Sequence, residues 1–419
     1  MATLPEIVVD RAARTAAVPM PQVQTLLRPG VLMLPALPPL ALYVHFPWCV
    51  RKCPYCDFNS HEQHGGTASI PEREYLDALC LDLEAALPLV WGRKVVSMFI
   101  GGGTPSLLSS RGLDRMLSDI RARLPLELDC EITLEANPGT VEAQRFASYR
   151  ASGVNRLSLG VQSFDEQMLK RLGRVHDGAE AAAAAELALK HFDNVNLDLM
   201  VGLPEQSIEQ ARSDVHKAIA FGTPHLSLYQ LTIEPNTVFA KYPPGLPDED
   251  VLAAIQDDLE TQTQAEGFEH YEVSAFARAG RRCRHNMNYW QFGDYLGIGA
   301  GAHSKLSFPH RIVRQARLRQ PASYLQAAAT GQFLSESFEV KRADVPFEFM
   351  LNTLRLTEGF STATFTERTG IPFSQVELPV NDAIRRGLIE RSGKEIRPTA
   401  LGRRFLNDLQ MLFLRESNT

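Results

Sequence analysis

No cysteine framework staples this chain. Six cysteines in 419 residues are too few for a disulfide scaffold, and a reducing, cytoplasmic setting suits them. A basic surplus is missing too: 43 Lys+Arg stand against 49 Asp+Glu, a net charge of -6. Nucleic-acid enzymes usually carry such a surplus or a basic stripe, so no nucleic-acid partner is expected. No apolar run reaches transmembrane length, so no membrane anchor is expected. The stretch VLMLPALPPLAL at 31–42 carries three prolines. It starts too far along, and lacks the flanks, to read as a secretion signal. It reads as a covering segment or tethered arm, after a loose tail over 1–30. A nucleotide loop is also absent. GGGTPS at 101–106 has no Gly-Lys-Ser/Thr ending and lacks the dinucleotide spacing.

What is present is length and alternation. At 44% hydrophobic content the chain can bury one large domain and a smaller one. Six apolar runs read as strands: 41–46, 95–102, 131–138, 156–163, 194–202 and 225–231. Helical patterns separate them at 71–88, 111–122, 142–151, 165–190 in pieces, and 207–220. Strands alternating with helical crossovers predict a parallel sheet covered by helices. His45, Glu135, Gln162 and Asp198 lie within or at the ends of these strands. Polar side chains converging from many strand ends favour a barrel over an open doubly wound sheet. The expected fold is α/β, a partial (β/α)6 TIM-like barrel open at one side. Residues 1–40 form an extension and 41–235 the barrel. Residues 236–339 complete it, with a helix at 248–268 and a strand at 270–277. Residues 340–419 make a small winged-helix-like domain, with helices near 346–357, 363–369 and 373–386, a hairpin over 388–402 and a last helix over about 400–415.

The chemistry is densest at WCVRKCPYC, where Cys49, Cys53 and Cys56 fall within eight residues. Thiolates suit iron–sulfur clusters and zinc. Three thiolates leave one iron of a [4Fe–4S] cubane open to a small molecule. Structural zinc would want a fourth ligand, which His45 or His61 could supply. Inert thiols would sit among apolar neighbours, whereas these are interleaved with Arg51, Lys52 and Pro54. Cations favour thiolates and an anionic cluster.

Gly101, Gly102 and Gly103 allow close approach to a bound group, or simply make a tight turn. Glu135 and Asp198 are carboxylates in apolar strands. An unpartnered one is costly there, so each caps a loop or meets a ligand's hydroxyl or ammonium groups. Gln162 adds neutral donors and acceptors. Arg174 lies just beyond, at the surface or against a carboxylate.

Taken in order, YVHFPWCVRKCPYCDFNSH, GGGTPS, TLEANPG, GVQSF and NLDLMVGLP resemble the radical S-adenosylmethionine family, in its coproporphyrinogen dehydrogenase-like branch. The resemblance spans about residues 41–400. It implies that Cys49, Cys53 and Cys56 ligate a [4Fe–4S] cluster whose fourth iron takes S-adenosylmethionine. Reductive cleavage of that cofactor yields methionine and a 5′-deoxyadenosyl radical. By motif position Tyr55 packs near the adenine, and Gly102, Gly103 and Thr104 receive the methionyl end, so an added side chain there is expected to block the cofactor before it unfolds the chain. Glu135 meets polar groups of the cofactor. Tyr43, Gln162, Arg174 and Asp198 match further contact positions, and Thr232 and His303 more distant ones.

Within the branch two activities compete. The porphyrinogen dehydrogenases usually carry a fourth cysteine one residue after the last of the triad. Here Asp57 and Phe58 follow Cys56. His303 stands where those enzymes usually have an aliphatic side chain. HNMNYW at 285–290 matches the HNxxYW motif of the branch's haem chaperones. Imidazole ligates haem iron and aromatic rings stack on a porphyrin. His285 is the first candidate axial ligand and Cys283 the second; the plain alternative is a satisfied core histidine beside a Tyr–Trp pair. The resemblance thus implies a haem chaperone that passes its cargo to an acceptor haemoprotein. A respiratory haem enzyme would fit, reached at the membrane by peripheral contact. Oxidative decarboxylation of coproporphyrinogen III is the runner-up, and a zinc-stabilised interaction protein a distant third.

Overall fold

The computed structural model describes residues 31–63, 69–139 and 143–414. Six strands form its spine: β1 (Leu40–Phe46), β2 (Val95–Gly102), β3 (Leu126–Ala136), β4 (Arg156–Gln162), β5 (Val195–Val201) and β6 (His225–Gln230). They lie side by side in that order and run parallel. Helices α1 (Glu72–Ala86), α2 (Ser110–Arg121), α3 (Phe146–Ser152), α4 (Glu166–Arg171), α5 (Gly178–His191) and α6 (Ile208–Ala220) are the crossovers. The strands are buried along most of their length, as parallel strands covered on both faces are. Capping boxes start α5 at Asp177 and α6 at Ser207. Each satisfies two otherwise orphaned N–H groups.

The sheet does not stop at six strands. After α7 (Val238–Lys241) and α8 (Glu249–Ala265) come β7 (Glu269–Glu272) and β8 (Ala275–Ala277). These are two antiparallel strands where one was expected over 270–277. Helix α9 (Arg284–Trp290) leads into β9 (Asp294–Ile298), which pairs parallel with the far side of β1. Strands β10 (His303–Phe308), β11 (Arg311–Arg317) and β12 (Leu334–Glu339) extend that side antiparallel, with α10 (Pro321–Ala327) between the last two. The sequence reading missed these four strands. The full order is β12-β11-β10-β9-β1-β2-β3-β4-β5-β6-β8-β7, a twelve-stranded sheet whose two end strands are not paired with each other. The open partial barrel is therefore right in kind and short in extent.

Beyond the sheet, α11 (Val345–Thr353), α12 (Thr362–Thr369) and α13 (Glu377–Arg385) pack with a three-stranded sheet. Its strands are β13 (Phe360–Ser361), β14 (Ile389–Ser392) and β15 (Glu395–Pro398). The single last helix expected over 400–415 is instead two, Ala400–Arg404 and Leu406–Met411. Phe349 of α11 meets Phe360 and Phe365 edge-on, with centroids 5.1 Å apart in both pairs. The same apolar cluster takes in Leu32 and Leu34 from the extension, and Phe292 and Ile312 from the sheet side. Leu32 and Leu34 donate backbone N–H bonds to His310 and Pro309. Residues 31–39 thus cover the last segment, while the expected tail over 1–30 lies outside the described residues.

Buried charges fasten the late strands. Arg317 of β11 and Asp82 of α1 are each 2% exposed and lie 3.2 Å apart. Asp82 also accepts from Tyr324 and from the Gly299 N–H. Removing one partner of such a pair leaves the other charged and buried, at about 3–5 kcal/mol. Arg317→Met is expected to lower unfolding stability by that order in urea melts. A loss below about 1 kcal/mol would count against this fastening.

Candidate functional site

The three cysteines lie between β1 and α1, on a segment tied down at several points. Trp48–Cys49 pairs with His61–Glu62. The Cys56 N–H reaches the Cys53 carbonyl, and the Phe239 N–H reaches the Pro54 carbonyl. All three thiols are half-buried and line one cavity of about 490 Å3. Thr104 Oγ1 lies 3.4 Å from Cys49 Sγ, Arg174 Nη1 3.6 Å from Cys53 Sγ, and Ser60 Oγ 3.6 Å from Cys56 Sγ. Such neighbours favour thiolates. Burial pushes the Cys49 thiol up to about 11, with the Thr104 bond opposing it. A thiol held so high gives up its proton when a metal takes its place.

The zinc alternative finds no fourth ligand here. His45 bonds the Tyr43 hydroxyl through Nδ1 and the Asn59 carbonyl through Nε2. His61 Nε2 lies 3.2 Å from Asn59 Oδ1. Among the described residues no three His, Cys, Asp or Glu side chains are grouped to hold one ion. Three thiols spread along a cavity wall suit a polynuclear cluster, whose irons each take one.

Tyr55, Gly102, Gly103, Thr104, Glu135, Gln162, Arg174, Asp198 and Thr232 all line this same cavity. Residues from five strand ends and two loops thus converge; of the four polar strand residues expected to meet, Glu135, Gln162 and Asp198 do so here, while His45 faces a neighbouring cavity. Tyr43 and His303 do not line it; they face a neighbouring cavity. The glycines correct one expectation, that an added side chain there would block a ligand and spare the fold. A Cβ on Gly103 would lie 2.5 Å from the Trp48 carbonyl oxygen, and one on Gly102, at φ +115°, 2.5 Å from the His45 ring. The amides are also already used. Gly102 N–H donates to Glu135, Gly103 N–H to the Phe46 carbonyl and Thr104 N–H to the Trp48 carbonyl. These glycines first let β2 press against the cysteine segment. Gly103→Val is therefore expected to cost about 1–3 kcal/mol and to lose metal in the same protein. A full-stability variant with intact iron content would refute this.

The polar floor is shaped by burial. Glu135 is pushed up to about 8 by burial, and then by the charge of Asp198. Asp198 is also raised by burial, against hydrogen bonds from Asn196 Nδ2 at 2.8 Å and Ser158 Oγ at 3.0 Å. Gln162 adopts φ 68°, a left-handed conformation that non-glycine residues seldom take and that clusters at functional sites. Arg174 is no free surface residue. Nη2 bonds Asn137 Oδ1 at 2.8 Å and the Gly160 carbonyl at 2.9 Å, while Nε is buried with no partner among the described residues. Tyr55 packs on Phe239 and an apolar group that includes Met168, Met200 and Leu231.

The neighbouring cavity is larger, about 1040 Å3, and aromatic. Tyr43, Phe58, Phe99, Tyr229, Tyr289, Trp290, Tyr295 and Phe338 line it with His45, His285 and His303. Arg314 and Arg319 supply cations, and Glu348 and Leu351 of α11 close one side. The two cavities share Phe58, Gly102, Glu135 and Tyr229. The structure separates the two candidate haem ligands. His285 lines the cavity, with its ring 5.1 Å from that of Phe99. Cys283 is fully buried and points its sulfur at Glu131 Oε1, 3.5 Å away. Burial pushes its thiol up to about 12, and unlike His285 it does not line the aromatic cavity.

Known proteins are similar to this chain in sequence and in fold. Residues 43–218 match the Radical SAM superfamily and residues 340–405 the HemN C-terminal domain. The Heme chaperone HemW of Escherichia coli is 49% identical over 385 residues, covering 91% of this chain and 99% of the relative. The chain belongs to the HemW family of radical SAM proteins. HemW of Bacillus subtilis is 33% identical over 89% of this chain and 99% of its own length. A solved coproporphyrinogen III oxidase, HemN of E. coli, superposes with a TM-score of 0.77 at 24% identity, over 90% of each chain. That likeness carries the fold. Membership of the radical SAM superfamily implies a [4Fe–4S] cluster and S-adenosylmethionine, and the cysteine cavity fits both. No helix among the described residues of this HemW-family chain is long and apolar enough to cross a membrane.

Several lining residues escaped the sequence reading. Asn137 stands inside the quoted motif TLEANPG, two residues past Glu135, and its position there was the available signal. Tyr295 and Arg314 sit on strands that were not foreseen, and Glu348 lies on a helix of the expected winged-helix-like domain, to which no site residue was assigned. Nothing local marked them.

Proposed function

We propose that this chain is a haem chaperone that holds haem in the aromatic cavity, keeps a [4Fe–4S] cluster with S-adenosylmethionine in the adjoining one, and gives the haem to an acceptor haemoprotein. The observation that carries this is the meeting of the two cavities across Phe58, Gly102, Glu135 and Tyr229. Cys49, Cys53 and Cys56 would hold the cluster. Tyr55, Gly103, Thr104, Glu135, Gln162, Arg174, Asp198 and Thr232 would surround the cofactor, which supplies radical chemistry when bound. In the aromatic cavity His285 offers an imidazole, aromatic rings cover the macrocycle faces, and Arg314 and Arg319 suit its carboxylates. The test is anaerobic reconstitution, then haem titration, then mixing with an apo-haemoprotein. A stoichiometric Soret band that moves to the acceptor is expected. Failure to bind haem, with the cluster intact, would overturn the reading.

The shared wall favours one second reading. An occupant of the large cavity would lie beside any radical formed next to it, as oxidative decarboxylation of coproporphyrinogen III requires. Against it, Phe58 stands where the porphyrinogen enzymes of this branch usually carry a fourth cysteine, and it is 61% exposed at the boundary. Multiple turnovers with coproporphyrinogen III, reductant and cofactor under anaerobiosis would decide for the enzyme.

Glu135 gives the site a pH dependence. Burial raises its folded value to about 8 from the ordinary 4.5, so between those values the folded chain holds a proton there that the unfolded chain has lost. Its contribution to stability is intact below about pH 4.5 and declines as pH rises towards about 8. The ligand-free protein should lose stability over that range, and Glu135→Gln should flatten the loss in melts. Binding of a cationic ligand should tighten over the same interval. Parallel profiles for wild type and variant would count against this assignment.

A further inference from the structure

Beside the haem site, three residues of the barrel wall hold one histidine. Ser97 on β2 and Glu131 on β3 are direct cross-strand neighbours in the parallel register, so their side chains leave the sheet on the same face. Phe99, two residues on along β2, shares that face. All three meet His285. Ser97 Oγ lies 3.3 Å from His285 Nδ1. Glu131 Oε1 accepts the His285 backbone N–H at 3.2 Å. The Phe99 ring lies against the imidazole at 5.1 Å. Ser97 is fully buried and Glu131 is 6% exposed, so neither partner is free to swing away. Among the described residues no hydrogen bond is made to His285 Nε2, and the ring lines the aromatic cavity.

We propose that Ser97 is the positioning residue for haem ligation: it accepts the His285 Nδ1–H and so presents Nε2 to the iron. This rests on the reading of the aromatic cavity as a haem site. An imidazole that ligates through one nitrogen must carry its proton on the other, and the acceptor of that proton fixes ring orientation and ligand basicity. Ser97 is the hydrogen-bond partner of Nδ1 among the described residues. Glu131 fixes the backbone from which the ring hangs, and Phe99 fixes its plane.

The test uses the full chain, anaerobically reconstituted and loaded with haem. Ser97→Ala and the nearly isosteric Ser97→Cys remove the good acceptor. Both are expected to weaken haem binding by about tenfold or more. Both should also lower the iron–imidazole stretching frequency of the ferrous complex, at unchanged cluster content. A lost side-chain contact that was merely structural would not move that frequency. His285→Ala separates the two ideas. If it leaves the Soret band and affinity untouched, the ligation reading itself fails. If His285→Ala abolishes the spectrum while both Ser97 variants keep wild-type affinity and frequency, the positioning role alone fails. Should Ser97→Ala not fold, Ser97→Cys carries the measurement.

Discussion

Replacing any one of Cys49, Cys53 and Cys56 with alanine is expected to leave a chain that reconstitutes with little or no iron, against about four irons and four sulfides for the wild type. The three thiols share one cavity wall, and each has a different neighbour, Thr104, Arg174 or Ser60. None can stand in for another. Cys80, Cys130 and Cys283 do not line that cavity. Alanine at each of these should keep full iron content. Iron and sulfide assays with the visible absorption spectrum read the result. Stoichiometric zinc in place of iron, or a cluster surviving in Cys53→Ala, would overturn the assignment.

The second large effect is expected at His285. Its imidazole lines the aromatic cavity between Phe99 and Ser97, whereas Cys283 is sealed in the interior against Glu131. His285→Ala should shift the Soret band and weaken haem binding by about a hundredfold, while the Cys283→Ala spectrum stays that of the wild type. Burial pushes the imidazole down to about 3. The ring therefore stays neutral across the working range, and haem binding should show no loss from its protonation down to about pH 5. A haem titration repeated at several pH values checks this. Equal affinity in both variants would place the haem elsewhere.

What could be read beforehand followed from local chemistry. The six parallel strands are mostly apolar runs closed by glycine, proline or a capping residue, so they declared themselves within a few residues, except that β3 begins at Leu126, five residues before the expected 131, in the polar stretch LELD. Glu135, Gln162 and Asp198 stood out because a polar residue inside such a run asks for a partner. Strands β10 and β11 carry Lys305, Arg311, Arg314 and Arg317, which break any apolar rhythm. Lys305 is buried against Asp294 and Arg317 against Asp82. The latter partner lies 235 residues away in sequence, and no local pattern announces a pairing at that distance. The same holds for Arg314 with Glu348, so one wall of the aromatic cavity stayed out of sight. The glycines were misjudged for a related reason. Their neighbours, the Trp48 carbonyl and the His45 ring, belong to another strand end.

The place of β1 in the sheet has a consequence in time. One of its neighbours, β2, follows it closely in the chain; the other, β9, begins only at Asp294. At about 5–20 residues per second of synthesis, the roughly 190 residues between them take on the order of 10–40 s to appear. For that interval the strand that leads into the three cysteines has one edge without its partner. The residues that line the cysteine cavity are all made by Glu234, whereas His285 and Tyr295 of the aromatic cavity arrive only with α9 and β9. The chain thus holds every wall residue of the first cavity while the second still lacks part of its own.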